Sequence, residues 1–205
     1  MASGSLMISS RTIGAVLSLA LVLLTTRVQA AALDATCTGE PDRPWRKQIA
    51  GCTKAIKSGK YAGKDLAKAF AFRSRAHVRT GDIDRSLADI EQAIRLDPRD
   101  ASAFNARGDL YFFKGDRERA LADYTKAISL EPASAGQAFI NRGMVHLTTG
   151  DFDRAVAEFG QAVRLEPASA EALYWRGMAS RLKGDTAAAD ADIAAAKKID
   201  PGVDR

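Results

Sequence analysis

The chain has 205 residues, enough for one domain behind a short leader. Its 30 Lys and Arg stand against 25 Asp and Glu, a net charge of +5. So mild and dispersed an excess argues against a nucleic-acid partner and for a mixed-charge soluble protein.

Residues 1–30 contain no acid, carry Arg11 ahead of an apolar run from about Ile13 to Leu24, and end in Val28-Gln29-Ala30. A basic start, a short apolar stretch and small residues at the end predict a cleavable signal peptide over 1–30, cut between Ala30 and Ala31. A membrane anchor is the competing reading. The run is short of the roughly 20 residues a span needs, and Gly14 and Ser18 interrupt it. Asp34-Ala35-Thr36 ahead of Cys37 is no lipidation box. Cleavage removes Arg11 and Arg27 and no acid, so the positive excess shrinks further. The mature protein is therefore expected to be periplasmic or secreted, with no stable membrane insertion.

Residues 31–66 are expected to form an N-terminal cap with one helix. Both cysteines, Cys37 and Cys52, fall here. In an exported chain an even pair reads as a disulfide, with two unpaired buried thiols as the alternative. Closing about 15 residues stabilises by roughly 3 kcal/mol in the chain-entropy account. Cys52-Thr53-Lys54-Ala55-Ile56 parallels Tyr124-Thr125-Lys126-Ala127-Ile128, so 42–58 reads as the second helix of a hairpin whose first helix is missing.

From residue 67 the chain repeats itself at an offset of 34–35 residues, over 67–100, 101–134, 136–169 and 170–203. Each segment has a Gly-Asp pair (Gly81-Asp82, Gly115-Asp116, Gly150-Asp151, Gly184-Asp185) and closes on an acid and Pro (Pro98, Pro132, Pro167, Pro201). Small residues recur at Ser86, Ala120, Ala155 and Ala189, and at Ala93, Ala127, Ala162 and Ala196. Gly ends the first helix, Asp caps the second, and Pro ends it. The expected fold is all-α, a solenoid of antiparallel helix pairs, because units this short bury an apolar face only against their neighbours. In the last unit Asp190 and Lys197 replace Leu121 and Ile128, which marks the end of the array.

Gly108, Tyr111, Ala120, Tyr124, Ala127 and Pro132 together resemble the tetratricopeptide repeat, and the match covers essentially all of 67–203. Asn105-Ala106-Arg107-Gly108 and Asn141-Arg142-Gly143 resemble the exported tetratricopeptide proteins of Gram-negative bacteria. The resemblance implies a solenoid whose concave face, lined by the first helices, holds partner proteins. The subfamily that clamps a terminal carboxylate uses Lys, Asn and Arg at places here held by Ala71, Arg75, Ala106, Gln137 and Asn141, so that clamp is not supported.

An Arg stands eight residues before each turn Gly and an acid eight after it. In an antiparallel hairpin these lie at one height. The spacing predicts the pairs Arg73–Asp89, Arg107–Asp123, Arg142–Glu158 and Arg176–Asp192 as structural struts inside each repeat.

Helical spacing draws a candidate groove wall: Lys68, Phe72, Arg75 and Arg79, then Asn105, Asp109 and Phe112, then Ile140, Asn141 and Met144, then Tyr174, Trp175, Met178 and Arg181. It runs from basic to amide-bearing to aromatic. An acidic part of a peptide is expected near Arg75 and Arg79, with an apolar anchor on Tyr174 and Trp175. Several of these aromatics have packing between repeats as their competing role, and a solvated face is the competing reading of Arg75 and Arg79.

Catalytic chemistry is not legible. His77 and His146 occupy the place of Tyr111 and read as packing residues. There is no phosphate loop, nucleophile elbow or ligand set for zinc, so no catalytic residue, metal or cofactor is expected. The functional expectation is a non-enzymatic adaptor in the bacterial envelope that binds a protein or peptide partner. The alternative is a regulatory or accessory subunit of an envelope enzyme or a secretion complex. The sequence sets neither the partner nor the oligomeric state.

Overall fold

The computed structural model describes residues 33–38 and 44–204. The expected signal peptide and its cleavage site lie outside the described residues. The described chain is helical: α1 (Ala35–Thr38), α2 (Trp45–Lys57), α3 (Gly63–Arg79), α4 (Ile83–Leu96), α5 (Ala101–Phe113), α6 (Arg117–Leu130), α7 (Gly136–Thr148), α8 (Phe152–Leu165), α9 (Ala170–Lys183) and α10 (Thr186–Ile199). A 3₁₀ turn, Pro132–Ser134, precedes α7. The pairs α3/α4, α5/α6, α7/α8 and α9/α10 pack as hairpins, and each pair stacks on the next, giving the α-solenoid expected from the repeats. No described helix is long and apolar enough to cross a membrane.

The four turns share one chemistry. Gly81, Gly115, Gly150 and Gly184 hold φ between 79° and 97°, the left-handed region where a Cβ is penalised. The following Asp N–H reaches five residues back, to His77, Tyr111, His146 or Ser180 carbonyl oxygen, satisfying a helix-end acceptor. The Asp82, Asp116, Asp151 and Asp185 carboxylates then accept the N–H of Arg85, Arg119, Arg154 and Ala188, capping the second helix.

Small residues set the distance within each hairpin. A Cβ on Gly108 would stand 2.6 Å from the Tyr124 ring, and one on Gly143 would stand 2.8 Å from the Phe159 ring. The aromatic of the second helix thus fills the space the first helix leaves empty. In the first repeat the same places hold Ser74 and Ile90, and Ser74 Oγ lies 2.9 Å from Ser86 Oγ in a buried hydrogen bond. That bond satisfies both hydroxyls where burial would otherwise be unfavourable.

Cys37 and Cys52 form a disulfide. Gln48 Nε2 donates to the Cys37 carbonyl at 2.9 Å, and α1 lies so close over Gly51 that any Cβ there would strike the Thr36 backbone. Both cysteines are fully buried with Ala69, while Phe72 and Ile56 pack against them. Among its described residues, the segment expected to carry one helix carries two ahead of α3, because α1 forms a single turn beneath the bridge. The helix α3 begins at Gly63, four residues before the repeat boundary read from the sequence.

Candidate functional site

Within the hairpins, Arg73 donates to Asp89 through Nε and Nη2 at 2.8 and 2.7 Å, and Arg107 to Asp123 at 2.8 Å through both atoms. Arg176 meets Asp192 in the same way at 2.6 Å. Arg142 reaches Glu158 through Nη2 alone, at 2.9 Å. Two of these arginines also cross to the preceding unit, Arg73 Nη1 to Thr53 Oγ1 at 3.0 Å and Arg142 Nη1 to Thr125 Oγ1 at 2.9 Å. His77 is buried 3.8 Å from Asp89, and that burial lowers its pKa against the pull of the carboxylate. These groups are engaged with one another and offer little to a partner.

The wall formed by the first helices is different. Arg75, Val78 and Arg79 of α3 face Ala106, Asp109, Leu110 and Phe113 of α5 across a hollow of about 610 Å³. A second hollow of about 330 Å³ adjoins it between α5 and α7, lined by Asp109, Phe112, Phe113, Tyr124, Asn141 and Met144. Asp109 and Phe113 line both and so form the ridge between them.

A polar network ties this ridge together. Asp109 Oδ1 accepts from Tyr124 Oη at 2.9 Å and from Asn141 Nδ2 at 2.8 Å. Asn141 Nδ2 also lies 3.3 Å from Asn105 Oδ1, and its own Oδ1 accepts from Gln137 Nε2 at 3.0 Å. Asp109 is an exposed residue, but Tyr124 of α6 and Asn141 of α7 crowd its carboxylate and displace water from it. That loss of surrounding water pushes its carboxyl up to about 6, against the Tyr124 hydrogen bond, which favours the charged form. Burial, and then the charge of Asp109, raise the Tyr124 phenol above its ordinary value.

The residues expected on the wall divide accordingly. Arg75, Arg79, Asn105, Asp109, Phe112, Asn141 and Met144 come together along α3, α5 and α7. Lys68 is exposed and lies 3.5 Å from Asp65, outside both hollows. Phe72 packs on the disulfide and carries the Arg75 guanidinium over its ring at 5.6 Å, so it supports the wall from behind. Ile140 is 4% exposed and belongs to the core of the third and fourth repeats. This corrects its expected place on the wall, since a helix that packs on both neighbours turns that position inward. Trp175 packs against the same core, and Tyr174 meets it edge-on at 5.3 Å. Met178 is half-buried, and Arg181 holds Asp190 of α10 at 2.7 Å.

Sequence reasoning missed Phe113 and Val78. Phe113 is 75% exposed and Val78 42%, both on the larger hollow. Phe113 stands one repeat after Arg79, at the same place in its helix, and that register was the signal available. Among the described residues no group of three or more His, Cys, Asp or Glu side chains is placed to hold a metal.

A tetratricopeptide repeat family model matches residues 73–139 and 140–204, most of the chain. The chain belongs to the tetratricopeptide repeat family. Solved tetratricopeptide-like structures share its fold. A MamA crystal structure has a TM-score of 0.66 at 18% identity, covering 77% of this chain and 90% of that one. MamA from Desulfovibrio magneticus RS-1 gives 0.65 at 15% identity, over 78% and 88%. YrrB, described as a TPR protein with an unusual peptide-binding site, gives 0.59 at 21% identity, over 77% and 78%. At these identities the likeness is one of fold. A search of curated proteins finds no match.

Proposed function

We propose that this tetratricopeptide protein is a non-enzymatic scaffold of the bacterial envelope that holds a partner polypeptide against the wall of its first helices. The observation that carries the reading is the pair of adjoining hollows across α3, α5 and α7, with Asp109 and Phe113 on the ridge. Arginines, side-chain amides, a carboxylate and an exposed aromatic on one surface are groups suited to gripping a peptide by hydrogen bonds and apolar contact. The peptide-binding site named for YrrB supports such a use of the fold. Export is supported by the leader features of residues 1–30 and by a buried disulfide, which an oxidising compartment sustains.

The test is crosslinking and mass spectrometry from envelope fractions of the native cell, with Arg79→Glu and Trp175→Ala variants whose folding is checked by circular dichroism. Arg79→Glu is expected to lose the crosslinked partner. Recovery unchanged in both variants would move the site off this wall, and a partner recovered only from the cytoplasm would remove the envelope assignment.

A further inference from the structure

We infer that the hollow between α3 and α5 takes an apolar side chain of the partner peptide together with a carboxylate close to it in that peptide. The apolar group sits on Val78, Leu110 and Phe113, and the carboxylate is held by Arg75 and Arg79. This rests on the wall being the binding surface.

Three features of the hollow point the same way. First, Val78 and Phe113 are large apolar side chains left exposed on opposite sides of one cavity, above a floor that includes buried Ile90 and Leu110. A cavity of about 610 Å³ lies in the range of ligand sites, roughly 300–1,000 Å³. Second, neither Arg75 nor Arg79 has a carboxylate partner among the described residues. They lie over aromatic faces, Arg75 over Phe72 at 5.6 Å and Arg79 over Trp45 at 5.1 Å. The second-helix arginines Arg85, Arg119 and Arg154 each pair with the preceding cap aspartate. The two arginines on the hollow are thus positioned by stacking and left unneutralised, one helical turn apart, as acceptor-seeking groups. Third, Asp109 on the opposite wall fixes the polarity of the occupant. A partner carboxylate is repelled from the α5 side and drawn to α3, while a backbone N–H is welcome at Asp109.

The probe is a random dodecapeptide phage library panned on the full chain. Enriched peptides are then synthesised with a fluorescein label and titrated by anisotropy. Enriched sequences are expected to place Leu, Ile, Met or Phe within three positions of Asp or Glu. Arg75→Gln with Arg79→Gln, and separately Phe113→Ser, should each weaken binding by about tenfold or more, as removal of an interface anchor does. Both changes fall on exposed side chains, and superimposable circular dichroism spectra show that the fold is kept. The Arg75→Lys, Arg79→Lys variant should recover part of the affinity, because the charge returns without the guanidinium fork.

Enriched peptides without acids, or an affinity indifferent to both variants, would overturn the assignment. If such peptides are lost on Trp175→Ala, recognition belongs to the fourth repeat and the wall stands as the surface without this hollow. A library that yields no binder, or binders that no first-helix variant affects, overturns both readings.

Discussion

Arg142 meets Glu158 through one hydrogen bond where its three counterparts meet aspartate through two. The extra methylene of glutamate shifts the carboxylate out of the fork geometry, and Arg142 Nε is left buried with no partner. A buried donor without an acceptor costs about 1–3 kcal/mol.

Glu158→Asp is therefore expected to stabilise the protein by about 1 kcal/mol, by returning the two-bond geometry of the other repeats. Urea denaturation measures it as a higher midpoint at an unchanged slope. A lower midpoint would show that the third hairpin is spaced to suit glutamate.

Removing one end of a strut strands the other. Arg107→Leu leaves the Asp123 carboxylate buried between α5 and α6, and a loss of roughly 2–3 kcal/mol is expected, reduced from the fully buried case by the partial exposure of the Arg. Arg107→Leu combined with Asp123→Leu should recover most of that loss, since no unpaired charge remains. A double-mutant cycle in denaturant reports the coupling, and additive effects would show that the pair contributes no mutual stabilisation.

Two helical glycines should respond in opposite directions. Gly108→Ala drives a methyl into the Tyr124 ring and is expected to destabilise by about 1–3 kcal/mol. Nothing lies within 4 Å of a Cβ placed on Gly160 in the middle of α8, so Gly160→Ala is expected to stabilise by roughly 0.5–1 kcal/mol through helix propensity. Thermal melts of the two variants should bracket the parent, and a shift in the same direction for both would contradict the hairpin spacing.

Asp109 gives a pH dependence with a definite sign. Its folded carboxyl is raised to about 6, above the ordinary unfolded value of about 3.9. Well below pH 4 both states hold the proton and stability is undiminished. As the pH rises towards 6 the unfolded chain gives up its proton first, so the contribution of this group is lost over that window. The stability of Asp109→Asn minus that of the parent should accordingly grow from pH 4 to 6 and then level off. A flat difference would mean that Asp109 ionises as it does in water.

The periodic Gly-Asp and acid-Pro signals sufficed for the helix pairs and their turns, and Gly108, Tyr111, Ala120, Tyr124 and Ala127 for the family, because each depends on chemistry within one hairpin. Left-handed φ at Gly115, the Asp116 cap and the gap opposite Tyr124 are local requirements that a repeating sequence displays repeatedly. The Arg–acid spacing was legible for the same reason: equal distance from a turn sets equal height in an antiparallel pair.

What the tertiary structure decided is which first-helix side chains remain on the surface after neighbouring repeats close over the rest. Ile140 shares the helical spacing of the wall yet is drawn into the core between the third and fourth repeats, and Trp175 packs against that core while staying partly exposed. Phe72 is drawn towards the disulfide, and Phe113 and Val78 are left facing the hollow. Periodicity fixes a residue's angle about its own helix axis. The crossing of that helix with two neighbours decides whether the angle ends in protein or in water.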